Sequence, residues 1–172
     1  MNWLSKITPG DRVFSVLVYC FALLDIIALS FLAGGNALLF QVPFLSPILP
    51  AILGVILIYK YPVINLLGGT LVIDLSFIIF ILLFALVVRN PRWTRFLRYN
   101  TMQTIMIGIV SSLCYLTLDT FLAPIGGFPL AILVNTIVIF LFGIAVYSMV
   151  HAAQRKYANV SIISDAVRAQ VP

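Results

Sequence analysis

Four polar side chains lie within or at the ends of long apolar runs, where polar groups are costly and usually functional. At 1.5 Å per residue, Asp25 lies about 18 Å into the first run and Asp74 about 21 Å above the inner end of the second. Asp119 closes the third run, and Asn135 lies about one turn into the fourth. We predict that they form an acidic, hydrated vestibule, a transport path that opens outward and attracts cations or a basic peptide.

A purely structural role is the alternative for these residues. Asp25 and Asp74 could form hydrogen bonds between helices, even when protonated, while Asp119 faces lipid headgroups. The chain contains no Glu, and no Lys or Arg lies within a predicted span to neutralise the aspartates. Gln103 and Thr104 are expected to form hydrogen bonds across helices near the inner face.

Other reactive residue types lack the spacing that catalysis or metal binding requires. Ser111 and Ser112 favour close helix packing over nucleophilic chemistry, since no base accompanies them. His151 fits a position at the headgroup level, and Cys20 and Cys114 lie in apolar runs as small hydrophobic residues. We therefore predict no enzymatic activity, no cofactor and no metal site.

Four arginines, Arg89, Arg92, Arg95 and Arg98, stand between two apolar runs. Arg and Lys that flank a transmembrane helix stay on the cytoplasmic side, or on its topological equivalent. This cluster is predicted to anchor the topology and bind anionic headgroups. The alternative is a docking surface for a soluble partner or an emerging polypeptide.

The composition indicates one integral membrane domain over residues 1–172. Hydrophobic residues make up 63% of the chain and charged residues 9%, and the mean hydropathy is +1.17. A soluble domain has about 25% charged residues. The net charge of +5 comes from basic residues beside apolar runs, which favours anionic lipid and not nucleic acid as the partner.

The apolar runs predict an all-α, integral membrane four-helix bundle, because a span needs roughly 20 residues. A further stretch, 38–61, is broken by Pro43, Pro47 and Pro50, and is predicted to be re-entrant or interfacial. A polar tail follows the last span. The predicted spans and the tail are 13–33, 67–88, 101–118, 130–150 and 151–172.

Charge supports four spans with both termini on one side. That arrangement places nine basic residues together and leaves only Lys60 outside, whereas a fifth crossing would give seven against three. Asn90 and Pro91 predict the start of the third helix as its N-cap and first residue. Ser164 and Asp165 predict the cap of a short terminal helix.

Three segments resemble one known family, the twenty-kilodalton subunit family of the chloroplast inner-envelope protein translocon, in its cyanobacterial or plastid-encoded form. The most specific segment runs from Asn90 to Gln103 within VVRNPRWTRFLRYNTMQTIM, and the ending SIISDAVRAQVP is second. The opening GDRVFSVLVYCFALLDIIAL also matches, although it lacks prolines that the family leads us to expect near Val18 and Ala22.

The resemblance implies a four-helix membrane protein with both termini on the stromal or cytoplasmic side. It also implies a protein-translocation channel, with other translocon subunits or further copies as partners and a translocating polypeptide as substrate. No signal or transit segment is evident, which favours a cyanobacterial or plastid-encoded chain, or a mature form. An accessory or assembly subunit of a larger complex, and a small cation or solute transporter, remain alternatives.

Overall fold

Seven helices and one short β-hairpin make up the computed structural model, which describes residues 7–32, 37–43, 47–60, 63–66, 69–72, 75–122, 124 and 126–170. The elements are α1 Pro9–Ser30, α2 Leu38–Gln41, α3 Leu49–Lys60, β1 Val63–Leu66, β2 Gly69–Val72, α4 Leu75–Leu83, α5 Arg95–Thr117, α6 Gly127–Ala153 and α7 Ser161–Gln170. Two of these helices end in a π-helical turn, so α4 continues over Phe84–Val88 and α5 over Leu118–Leu122.

Within the described residues, three helices are long and apolar enough to cross a membrane: α1, α5 with its π-helical end, and α6. They correspond to the first, third and fourth predicted spans. Their surfaces carry many exposed large apolar side chains, such as Leu17, Leu116 and Phe140. In a membrane these side chains face hydrocarbon, so the exposed apolar surface contacts an apolar environment.

The second predicted span differs from the structure. We expected a helix from Leu67, but residues 69–72 pair antiparallel with residues 63–66, and α4 begins at Leu75. From Leu75 to Val88 the helix has 14 residues, or about 21 Å, which is shorter than the roughly 30 Å hydrocarbon layer. A bundle of four full-length helices is therefore not confirmed, and the hairpin is an exception to the all-α prediction.

The three long helices pack so that α1 and α5 run parallel and α6 runs antiparallel to both. The Phe14 ring stacks on Trp93 with centroids 6.0 Å apart, and further along, the Tyr19 hydroxyl lies 3.1 Å from Gln103 Oε1. Gln103 Nε2 donates to Ser148 Oγ near the end of α6. The starts of α1 and α5 and the end of α6 thus share one end of the bundle, which we call the inner end.

Local capping fixes where the helices begin at the inner end. The Thr8 hydroxyl accepts from the Asp11 amide, and the Asp11 carboxylate accepts from the Thr8 amide, which forms a capping box before α1. The prediction that α5 starts at Asn90 was wrong, because Thr94 is the N-cap and accepts from the Leu97 amide. Asn90 Oδ1 instead accepts from the Arg92 amide in a turn.

The C-terminal helix α7 packs on α5 at the inner end. Val167 is fully buried in a cluster with Val88, Tyr99 and Ile105. The predicted cap at Ser164 was wrong by one turn, since α7 begins at Ser161. The Ser164 hydroxyl accepts from the amide of residue 160, so it still satisfies a backbone donor at the start of the helix.

The buried position of Val167 predicts that Val167→Asp releases α7 from the bundle, because an unpaired carboxylate would have to enter an apolar cluster. Limited proteolysis should then cleave the 154–160 connection much faster than in the unaltered protein. Ala169→Asp is the matched control, since residue 169 is exposed on the same helix. Equal cleavage of both variants would show that α7 does not depend on this contact.

Candidate functional site

A buried ion pair joins the first helix to the segment that precedes the hairpin. Lys60 Nζ lies 2.6 Å from Asp25 Oδ1, and the two side chains are only 15% and 11% exposed. The same ammonium donates to Ser76 Oγ at 3.0 Å, and the Tyr59 hydroxyl donates to Asp25 Oδ2 at 3.4 Å. No Lys or Arg lies within a predicted span, and the cation that faces Asp25 comes instead from the end of segment 38–61.

The end of α3 lies well below the outer end of α1. The Tyr59 ring stacks on Phe21 with centroids 6.2 Å apart. Phe21 precedes the end of α1 at Ser30 by nine residues, or about 13 Å. Lys60 occupies the last turn of α3, where a cation also complements the negative end of the helix dipole.

Two cavities adjoin the ion pair, and Asp25 and Ser112 line both. The inner cavity, of about 280 Å³, lies among α1, α3, α4 and α5 and reaches inward to Leu83 and Thr104. The outer cavity, of about 270 Å³, also contains Lys60 and reaches outward to Leu116. The pair therefore stands at the junction of the two spaces.

Gly108 lets α5 approach the carboxylate closely. A Cβ at this position would lie 3.2 Å from Asp25 Oδ2, whereas a Cβ at Gly143 on α6 would have no heavy atom within 4 Å. In the interior of a helix, Ala is more stable than Gly by about 1 kcal/mol. The close approach should cancel that gain at position 108 only.

We accordingly expect Gly143→Ala to raise the free energy of unfolding by up to about 1 kcal/mol, and Gly108→Ala to give no gain or a loss. Equilibrium unfolding in mixed detergent micelles measures both. If both variants raise the free energy of unfolding equally, the contact between Gly108 and Asp25 does not affect stability.

The other predicted vestibule residues lie apart from these cavities. Asp119 is exposed in the π-helical end of α5. Asn135 Oδ1 accepts from the Leu38 amide at 3.1 Å and so links α6 to the start of α2. Neither residue lines the two cavities. Asp74 lies outside the described residues, so a convergence of all four stays a prediction.

A second polar cluster lies deeper, among α1, α5 and α6. The Tyr19 hydroxyl is 3.1 Å from both Asn100 Oδ1 and Gln103 Oε1, and Gln103 is fully buried. The hydroxyl has one proton, so it donates to one oxygen at a time. Gln103 forms the predicted bonds across helices, whereas the Thr104 hydroxyl donates to the Asn100 carbonyl of its own helix.

The four arginines divide into two kinds at the inner end. Arg98 is half-buried, and its Nε donates to the Val88 carbonyl at 2.7 Å, which closes the end of α4. Arg89, Arg92 and Arg95 are exposed. Trp93 Nε1 donates to the Leu86 carbonyl at 3.0 Å and holds the same loop. Three guanidinium groups therefore present a cationic surface, while the fourth has a structural role.

A cluster of three aromatic side chains lies beside this cationic surface. Tyr157 packs edge-on against Phe96 and Tyr99, with centroids 5.5 and 5.0 Å away, and the Tyr99 hydroxyl donates to the carbonyl of residue 158. Burial raises the pKa of Tyr157, and the nearby Arg95 opposes that rise only in part. Tyr157 therefore stays neutral at physiological pH, and the surface keeps its positive charge.

Lys60 is the member of the candidate site that sequence reasoning missed. Its signal was its isolation, since it is the only basic residue that the charge count leaves on the outer side. A lone cation beside apolar runs that contain aspartates suggests a partner, but the sequence does not say which one.

Comparison with known proteins adds a family assignment. The family profile described as "Chloroplast import apparatus Tic20-like" matches residues 10–167. A Tic20 family protein of Synechocystis sp. (strain ATCC 27184 / PCC 6803 / Kazusa) is 35% identical over 167 residues, which cover 94% of this chain and 92% of that protein. No solved structure matches the chain.

Two shorter matches are also to Tic20 family proteins. The Tic20 family protein Ycf60 of Gracilaria tenuistipitata var. liui is 34% identical over 104 residues, and that of Pyropia yezoensis is 33% identical over 101 residues. Each match covers 56% of this chain and 50% of the relative. The chain thus aligns with about half the length of these two proteins.

Proposed function

Because this chain belongs to the Tic20 family and is a multi-pass membrane protein, we propose that it is a non-enzymatic membrane subunit of a protein-translocation channel. The observation that carries the proposal is the family match over residues 10–167, whose description names an import apparatus. The host membrane in this proposal is a cyanobacterial membrane or a plastid inner envelope, in keeping with the matched relatives.

The size of the cavities supports a channel that more than one chain builds. The two spaces, of about 280 and 270 Å³, lie at the lower end of the roughly 300–1,000 Å³ typical of small-molecule sites. A polypeptide path therefore needs further subunits or further copies of this chain. Asp25, with Lys60 beside it, is the position at which this chain is proposed to contribute to the path, together with the predicted Asp74, Asp119 and Asn135.

The proposed topology places both termini and the arginines Arg89, Arg92 and Arg95 on the cytoplasmic or stromal side. The shared inner end of α1, α5 and α6 supports it, and so does the positive-inside rule. Segment 38–61 is then re-entrant, because the contact between Tyr59 and Phe21 brings the end of α3 below the outer end of the bundle. In this topology α4, which starts beside Lys60, provides the crossing between α1 and α5 and brings the number of crossings to four.

Cross-linking to a stalled substrate tests the proposal. A photoreactive p-benzoylphenylalanine replaces Arg92 at the inner end, or Ser112 at the two cavities, in membranes where a translocating polypeptide is arrested by a folded domain. We expect cross-links to that polypeptide at these positions and none from Ile139, which faces lipid on α6. Identical cross-links with and without arrested polypeptide would favour an accessory or assembly subunit instead.

A further inference from the structure

The two cavities differ in polarity, and the difference follows the axis of the bundle. Of the seven described residues that line the outer cavity, five are polar or charged, including Lys60, Ser111 and Tyr115. The inner cavity is mostly aromatic and aliphatic, with Phe21, Phe80 and Leu83 in its wall. Along both α1 and α5, the polar space lies nearer the outer end and the apolar space lies deeper.

The inner cavity is also continuous with the apolar outer surface of the protein. Phe77 and Leu113 belong to its wall and are 61% and 58% exposed. Both side chains face the hydrocarbon of a membrane, so the cavity meets the lipid phase between α4 and α5. None of the side chains from Leu75 to Leu83 is fully buried, which makes this the loosely covered side of the bundle.

We propose that the two cavities together bind one membrane lipid. An acyl chain fills the inner cavity, and the ester or headgroup oxygens lie in the outer cavity against the hydroxyls of Ser111, Ser112 and Tyr115, beside the ion pair. The order of polarity, apolar inside and polar outside, is that of a lipid in the outer leaflet. Two thirds of the described residues that line the inner cavity are apolar, so a hydrocarbon chain contacts most of its wall favourably.

The ion pair makes the junction of the two cavities suitable for the ester or headgroup oxygens of a lipid. Asp25 and Lys60 neutralise each other, so the site presents polar groups without a net charge. Such a site favours neutral or zwitterionic oxygen-rich groups over a bare anion. This site is separate from the exposed arginines, which lie at the opposite end of the bundle and suit anionic headgroups.

Photolabelling tests this proposal without a translocation substrate. The purified full chain is placed in phosphatidylcholine nanodiscs that contain a phosphatidylcholine with a diazirine in its acyl chain. We expect cross-linked peptides to concentrate on the cavity walls of α4 and α5. Ile109→Trp, which fills the wall, should reduce that labelling about tenfold, as a loss of about 1.4 kcal/mol in affinity would. Ile139→Trp on the lipid face of α6 should not.

Each outcome decides the proposal. Uniform labelling of all lipid-facing helices, or cavity labelling that survives Ile109→Trp, would overturn it. Cross-links from the cavity to a second copy of the chain in place of lipid would also overturn it. Leu83→Trp provides a second filling variant, and if neither variant folds, the labelling map of the unaltered protein decides alone. The labelling uses the protein without substrate, whereas a cross-link at Ser112 requires an arrested polypeptide that displaces the lipid, so the proposed function and this site can fail independently.

Discussion

Lys60→Met will lower the free energy of unfolding by about 3–5 kcal/mol, because it leaves the Asp25 carboxylate inside the protein without its cation. The carboxylate is 11% exposed, so water cannot replace the ammonium fully. The same substitution weakens the contact between α3 and α1, which then depends on Tyr59 against Phe21 and Asp25. Equilibrium unfolding in mixed detergent micelles measures the effect.

The double variant Asp25→Asn/Lys60→Met separates a buried charge from lost packing. Removing both charges should recover most of the loss, because a neutral pair carries no large desolvation penalty. Lys156→Met is the control for the loss of a cation at an exposed position and should change stability by less than about 0.5 kcal/mol. If Lys60→Met is as mild as Lys156→Met, the ion pair does not stabilise the fold.

Gln103→Leu will cost about 1–3 kcal/mol, because it removes the donor to the buried Ser148 hydroxyl and leaves the Tyr19 hydroxyl with Asn100 alone. The side chain bridges α1 and α6 from its place on α5, so its loss weakens the contact of all three long helices. Gln170→Leu, an exposed position on α7, is the matched control. The same unfolding experiment reports both.

Coupling within this cluster gives a sharper test. If the cluster acts as one network, Tyr19→Phe should cost less in the Gln103→Leu background than in the unaltered protein, since the shared hydrogen bond is lost only once. Strictly additive costs would mean that the two side chains stabilise the bundle independently.

Hydrophobic length and charge predicted the three long helices well, because a span of roughly 20 apolar residues has few alternatives. They failed at residues 69–72, which belong to the predicted second span but pair with residues 63–66 as strands. A short apolar run fits a strand as well as a buried helix, so periodicity could not separate them. The pairing of residues 63–66 with residues 69–72 joins two separate segments, which an argument from span length ignores.

The start of α5 shows a second limit of sequence reasoning. Asn90 and Thr94 are both good N-cap residues, so local preference alone allows either. Thr94 caps the helix because residues 89–94 are held as a loop by Arg98 on Val88 and Trp93 on Leu86. Those contacts join different elements, and only the folded chain reveals them.

The ion pair also depends on a contact between elements that are distant in the sequence. Asp25 and Lys60 are 35 positions apart, and no helical or strand period connects them. They meet because the end of α3 contacts α1 at the depth of Asp25. A sequence can show that an intramembrane carboxylate needs a partner, but the position of the end of α3 decides which residue supplies it.

The threading of the chain supports every functional statement above, and cysteine accessibility measures it most directly. In a Cys20→Ala/Cys114→Ala background, single cysteines at Arg12, Arg92, Lys156 and Thr120 are labelled with a membrane-impermeant maleimide in right-side-out and inverted vesicles. We predict that positions 12, 92 and 156 react from one side and position 120 from the other. Labelling of positions 12 and 156 from opposite sides would contradict the account.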